Sequence, residues 1–163
     1  MLEYRQTREL GTSGPGGRDM EIYTVGFTKK TAAEFFGSLR RAGIQRLVDV
    51  RINNTSQLAG FTKKENLPFF LWEICHIEYL YEPLLAPTQE LFVYKRQKGK
   101  WSEYEQRFFA LMRDRRIEER IEQNVFEIPT VLLCSEATAE HCHRRLILEY
   151  LQSQWGNIQV IHL

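Results

Sequence analysis

Short apolar runs of strand character alternate along this chain with longer segments whose apolar residues recur every three or four positions. That alternation limits the available folds more than any other feature. Residues 21–25 read as a strand that Gly26 ends. Thr31 and Glu34 then form a capping box ahead of Phe35, Phe36, Leu39 and Ala42, with Gly43 at the helix stop. Residues 44–50 make a second strand and 51–60 a polar connection. Thr62 and Glu65 offer a second capping box for a helix reaching Cys75, with Pro68 as the alternative restart. Residues 77–81 are a third strand closed by Pro83, and Pro83, Pro87 and Gly99 punctuate a loop-rich connection. Ser102 and Glu105 cap a long helix carrying Tyr104, Phe108, Leu111 and Met112, which continues or restarts through Ile117 and Ile121. A buried strand at 130–133, a helix at 139–154 and a last strand at 158–163 complete the pattern. Strands alternating with helices predict an α/β fold: a single three-layer domain with a mostly parallel five-stranded sheet and helices on both faces.

The chain has 163 residues, 43% of them hydrophobic, which fills one core and leaves little for a second. Residues 20–163 are expected to form the domain. Residues 1–19, with Gly11, Gly14, Pro15, Gly16 and Gly17 in a polar stretch, read as a flexible tail or a non-native remnant, Met20 being a natural start. Lysine and arginine number 22 against 21 acidic residues, so no global field steers the chain to nucleic acid or membrane, and any anion site has to be local. The chain lacks an apolar run long enough to span a bilayer and an apolar leader, so a cytoplasmic location is expected. Cys75, Cys134 and Cys142 are expected as free thiols. No cofactor is expected, and no metal. His141, Cys142 and His143, read as consecutive helix residues, point about 100° apart and cannot face one ion.

In a parallel sheet, ligands bind beyond the carboxyl ends of the strands. The distinctive polar residues fall there: Gly26-Phe27-Thr28, Asp49 and Arg51, Glu82, and Cys134-Ser135-Glu136. Asp49 and Arg51, two apart, project to one side, either as base and anion clamp or as a structural pair. With Thr138 read as a helix N-cap, free backbone N–H groups would lie beside Cys134 and Glu136, a geometry that binds anions. Cys134 there is a nucleophile or a small hydrophobe, and Glu136 a proton-transfer group or a solvent-facing residue. Cys142 falls on the apolar stripe of the helix, while His141 shares another face with Arg145, beside Arg144. His141 is a candidate acid, base or donor, or simply a first-turn hydrogen-bonding residue. Asn53, Asn54, Thr55, Ser56 and Gln57 make an uncharged hydrogen-bonding loop. Lys63, Lys64, Lys95, Arg96, Lys98 and Lys100 with Phe61 and Trp101 read as a nucleic-acid-stacking surface or as a solvated face.

Thr24-Val25-Gly26, Asp49-Val50-Arg51, Cys134-Ser135-Glu136 and His141-Cys142-His143-Arg144, in that order, resemble the bacterial and archaeal family called domain of unknown function 488. The resemblance runs from about Met20 to Leu163. It implies a compact α/β domain and carries those residues over as site positions, but it brings no reaction. Relatives have histidine or tyrosine and then serine where this chain has Phe27 and Thr28, and proline where it has Asn53. The expected site therefore holds Asp49, Cys134, Glu136 and His141 as catalytic candidates, with Thr24, Gly26, Arg51, His143, Arg144 and Arg145 as substrate or anion contacts. A small enzyme or ligand-binding domain for an anionic partner, a nucleotide or nucleic acid, is the leading expectation. Rhodanese-like or phosphatase-like thiol chemistry at Cys134 is one alternative and a non-catalytic interaction module the other.

Overall fold

The computed structural model describes residues 19–55 and 59–163. The N-terminal segment through Arg18, and with it most of the expected tail, lies outside the described residues, as do Ser56 and Gln57 of the hydrogen-bonding loop. Five strands, β1 (Met20–Gly26), β2 (Arg46–Asp49), β3 (Glu78–Tyr81), β4 (Thr130–Cys134) and β5 (Ile158–His162), form one sheet in the order β3-β2-β4-β1-β5. Every pairing is parallel. No helix among the described residues is long and apolar enough to cross a membrane.

Alternation along the strands divides two cores. Leu47, Val131, Leu133 and Val25 pack against α1 (Ala32–Arg41) and α2 (Leu67–Phe70), with Phe35, Phe36, Leu39 and Leu67 buried between. Val48, Leu132 and Ile22 face the other layer, built from α3 (Gln89–Arg96), α4 (Trp101–Arg115), α5 (Ile117–Arg120) and α6 (His143–Trp155). Central β4 is buried along its whole length, as a parallel strand covered on both faces must be. The three-layer expectation therefore holds.

Thr31 caps α1 with the reciprocal bonds read from sequence: Glu34 N donates to its hydroxyl and its own N–H donates to the Glu34 carboxylate. Thr31→Ala is expected to cost about 1 kcal/mol in denaturant unfolding, because the Glu34 backbone N–H loses its acceptor.

The helix starts read elsewhere shift. α2 begins after Asn66 with Pro68 in its first turn and widens into a π-turn over Leu71–Cys75, so the restart at Pro68 is realised and the Thr62 box is not. α4 starts one residue before Ser102, with Lys100 at the N-cap. The connection between β3 and α4 contains α3, whose N-cap Thr88 accepts from Leu91 N, within the stretch read as loop. The last helix starts at His143, with Cys142 and not Thr138 at its N-cap. Residues 135–142 remain a loop because other groups take their carbonyls: Arg144 Nη1 donates to Glu136 O at 2.6 Å, and Lys95 Nζ donates to His141 O.

The chain leaves β2 toward β3 through α2 and leaves β4 toward β5 through α6, on opposite faces. The connections after these two adjacent strands therefore part, and a crevice opens between the end of β2 and the end of β4.

Candidate active site at the carboxyl rim of the sheet

A cleft of about 650 Å³ occupies that crevice, lined by Phe27, Arg51, Ile52, Asn53, Phe92, Lys95, Arg96, Tyr104, Cys134, Ser135, Glu136 and His143 among others. A larger hollow of about 880 Å³ lies at the amino ends of the strands beside Met20, Pro129 and Trp155, and its lining has neither thiol nor histidine.

Cys134 ends β4 and is 3% exposed at the floor of the cleft. Its Sγ lies 3.6 Å from His143 Nδ1. The other ring nitrogen, Nε2, is 2.8 Å from Val50 O, and because a carbonyl only accepts, Nε2 carries a hydrogen. That bond fixes ring and tautomer, so Nδ1 is the nitrogen presented to sulfur. His143 is also the first residue of a 13-residue helix, whose positive end lies beside the thiol. Burial opposes ionisation of Cys134, but the Cys142 thiol, the His143 ring and the Glu136 backbone N–H together outweigh it and hold the Cys134 thiol well below the ordinary range. Burial likewise opposes charge on His143, and the Cys134 sulfur reverses this and raises the imidazole above its usual value. Both directions favour the thiolate–imidazolium form of the pair. Cys142 moves the other way: burial and the neighbouring Cys134 sulfur keep it a thiol.

Of the His141–His143 triplet only His143 is helical, and the three still do not all face one point, because His141 turns away. Cys142 has extended backbone (φ −127°, ψ 139°), which turns its side chain and that of His143 toward Cys134. His141 is exposed, its ring against Trp101 at 5.0 Å between centroids, and does not line the cleft. The imidazole beside Cys134 belongs to His143 and not to His141. The donor atoms of Cys134, Cys142 and His143 lie within 4.8 Å of one another, and a soft tetrahedral ion would put sulfur and nitrogen ligands about 3.5 Å apart. Arg144 Nη1, however, stands 3.6 Å from Cys142 Sγ and sets a positive charge against that same triad.

Arg51 is 3% exposed and locked to Asp49 by two bonds, Nε to Oδ1 at 2.8 Å and Nη2 to Oδ2 at 2.9 Å, while Nη2 also donates to Thr62 O. Tyr79 Oη donates to Asp49 Oδ2 at 2.7 Å, and burial followed by the Asp49 charge raises that phenol far above its usual value. Asp49 is thus fully occupied beneath Arg51 and does not line the cleft. It positions the guanidinium, which lies over the Phe27 ring at 5.4 Å. Arg51 lines the cleft, with Nε and Nη2 committed to Asp49 and to Thr62 O.

Of the remaining candidates, Glu136 lines the cleft and is paired with Lys95, which also faces the Trp101 and Tyr104 rings at 5.4 and 5.6 Å. Thr24 and Arg144 lie behind the loop: Arg144 Nε donates to Thr24 Oγ1, which contacts His162 Nδ1. Arg145 pairs with Glu105 and Glu149. All three stand outside the cleft, and Arg144 buttresses the loop through Glu136 O. Gly26 acts through contact, since a Cβ there would fall 1.6 Å from Glu136 O. Gly26→Ala is expected to push the 135–142 loop off β1 and to cost about 1–3 kcal/mol or more, read by denaturant unfolding and by slowed thiol alkylation.

The surface read for nucleic-acid stacking is also dispersed. Phe61 packs on Phe35 and Phe36, Trp101 stacks on Tyr104, and Lys64 covers Tyr81. Phe92, Lys95 and Arg96 instead reach the cleft from α3, a helix inside the connection expected to be loop-rich. Thr88 ahead of Leu91 was the signal available for it.

The family model described as Domain of unknown function DUF488 matches residues 31–151 of the 163. The chain belongs to the DUF488 family. No curated protein and no solved structure matches it. The DUF488 match takes in Asp49, Arg51, Cys134 and His143 and leaves β1 and β5 outside. Within this DUF488 domain, the Phe27 and Thr28 departure has defined contacts: Phe27 underlies Arg51, and Thr28 N and Oγ1 both donate to Ser135 O, tying the β1 loop to the residue after Cys134.

Proposed function

We propose that this domain is a thiol-dependent enzyme in which Cys134, ionised by His143, attacks an electrophilic centre of a small anionic substrate held in the cleft. The observation that carries the reading is the fixed dyad: Sγ and Nδ1 at 3.6 Å, with Nε2 pinned to Val50 O. A thiol, a base and a group that orients the base are the parts nucleophilic sulfur chemistry requires. His143 takes the Cys134 proton at Nδ1 and holds it for the leaving group.

The walls favour a partner with both charge and a flat ring. Arg51 and Arg96 supply positive charge, and Phe27, Phe92 and Tyr104 supply apolar faces, so a nucleotide-like molecule suits the cleft. Burial, then the neighbouring Cys134 sulfur, raises the Tyr104 phenol, which stays neutral as a wall.

Alkylation by iodoacetamide across pH, with peptide mapping, tests the nucleophile. Cys75, half-buried and raised by burial despite Arg40, is the internal comparison. The Cys134 rate is expected to hold its plateau well below the ordinary thiol range of about 8.5, while the Cys75 rate already falls about tenfold per pH unit from above that range. A Cys134 profile parallel to that of Cys75 would overturn the proposal. A nucleoside monophosphate is expected to slow labelling of Cys134 and leave Cys75 unchanged; equal Cys134 rates with and without it remove the anionic-substrate part.

A further inference from the structure

The dyad does not account for Cys142. A second thiol, buried completely, has its sulfur within 4.8 Å of the Cys134 sulfur, and the Arg144 guanidinium stands 3.6 Å from it. Among the described residues these are the two cysteines that share one site, Cys75 lying in the opposite core. We propose that Cys142 is the resolving thiol of Cys134, and that the cleft reduces a small hydroperoxide by two electrons through a Cys134–Cys142 disulfide. The inference rests on the thiolate reading above and names a second substrate class for the same sulfur.

The steps balance. Cys134 thiolate attacks one peroxide oxygen; an S–O bond forms, the O–O bond breaks, and the leaving hydroxide or alkoxide takes the proton held on His143. Cys134 is now a sulfenic acid and the peroxide is reduced. The Cys142 sulfur then attacks Cys134 Sγ; the S–S bond forms, the S–O bond breaks, and the departing hydroxide leaves as water with the Cys142 proton. An external dithiol reduces the disulfide and is itself oxidised.

Local charges order these events. While Cys134 is anionic, burial and the Cys134 sulfur hold Cys142 protonated, so Cys134 is the thiolate that attacks the oxidant first. Once Cys134 is a neutral sulfenic acid its share of that restraint is gone, and Arg144, 3.6 Å from Cys142 Sγ, works against the burial that remains and favours the resolving thiolate. The path is short. Cys142 is the N-cap and not an interior residue of α6, so its side chain can swing to Cys134 through the 135–142 loop without unwinding the helix.

The experiment treats the full chain with hydrogen peroxide, then alkylates and maps peptides without reduction. Wild-type protein is expected to lose two thiols for each peroxide consumed and to yield one peptide pair linking Cys134 to Cys142, reversed by dithiothreitol. Cys142→Ser is expected to lose one thiol per peroxide and to hold a dimedone-trappable sulfenic acid on Cys134. The wild-type map decides the matter even if that variant fails to fold. Rapid Cys134 alkylation with no Cys134–Cys142 pair after peroxide overturns this inference and leaves the nucleophile reading standing. Loss of both rapid alkylation and oxidation overturns the two together. Zinc that protects both thiols and abolishes disulfide formation assigns the triad to a metal and overturns the resolving role.

Discussion

Asp49→Ala is expected to lower the stability of the domain by about 3–5 kcal/mol, measured by urea or guanidinium unfolding at neutral pH. Asp49 is fully buried and Arg51 nearly so, and the carboxylate takes bonds from two guanidinium nitrogens, from Arg51 N and from Tyr79. Removing it strands a buried cation beside a phenol that has lost its acceptor, and the penalty is that of the uncompensated charge, not the worth of the pair. Tyr79→Phe deletes one charge-assisted bond and is expected to cost about 1.5–3 kcal/mol. If Asp49→Ala is instead near neutral, Arg51 reaches solvent readily and is not a preset anion contact.

The second large effect concerns reactivity. His143→Ala is expected to slow Cys134 alkylation at pH 6.5 by about 100-fold, since a thiol returned to an ordinary value near 8.5 is only about 1% ionised there. Depression of the Cys134 thiol means that thiolate is lost only as pH falls through the lowered value; in the variant it is lost already as pH falls below about 8.5. The two proteins are therefore expected to converge near pH 9.5. Convergence separates lost ionisation from lost folding, because an unfolded variant would label its cysteines alike at every pH.

How much of this was legible in the sequence follows from which interactions are local. The capping box at Thr31, the alternation of β2 and the apolar run of β4 are signals carried by neighbours in the chain, and they placed the three-layer parallel architecture. Asp49 with Arg51 was legible as a pair because strand alternation puts residues two apart on one side. The start of the last helix was not. Thr138 is a good cap by residue type, but the carbonyls of Glu136 and His141 are claimed by Arg144 and by Lys95, and Lys95 is 46 positions from His141. That displacement moved the imidazole beside Cys134 from the expected His141 to His143. The α3 wall was hidden for a related reason: Phe92, Lys95 and Arg96 belong to one short helix with few buried residues, so the period of its apolar positions is weak.

The central claim is an ionised sulfur at the end of β4, and thiolate ultraviolet absorbance reports it without assuming a substrate. Titrated from alkaline to acid pH, wild-type protein minus Cys134→Ser is expected to keep one thiolate equivalent through neutrality and to lose it well below the ordinary thiol range. A difference spectrum that vanishes between about pH 9 and 8, as for a free cysteine, would contradict the account.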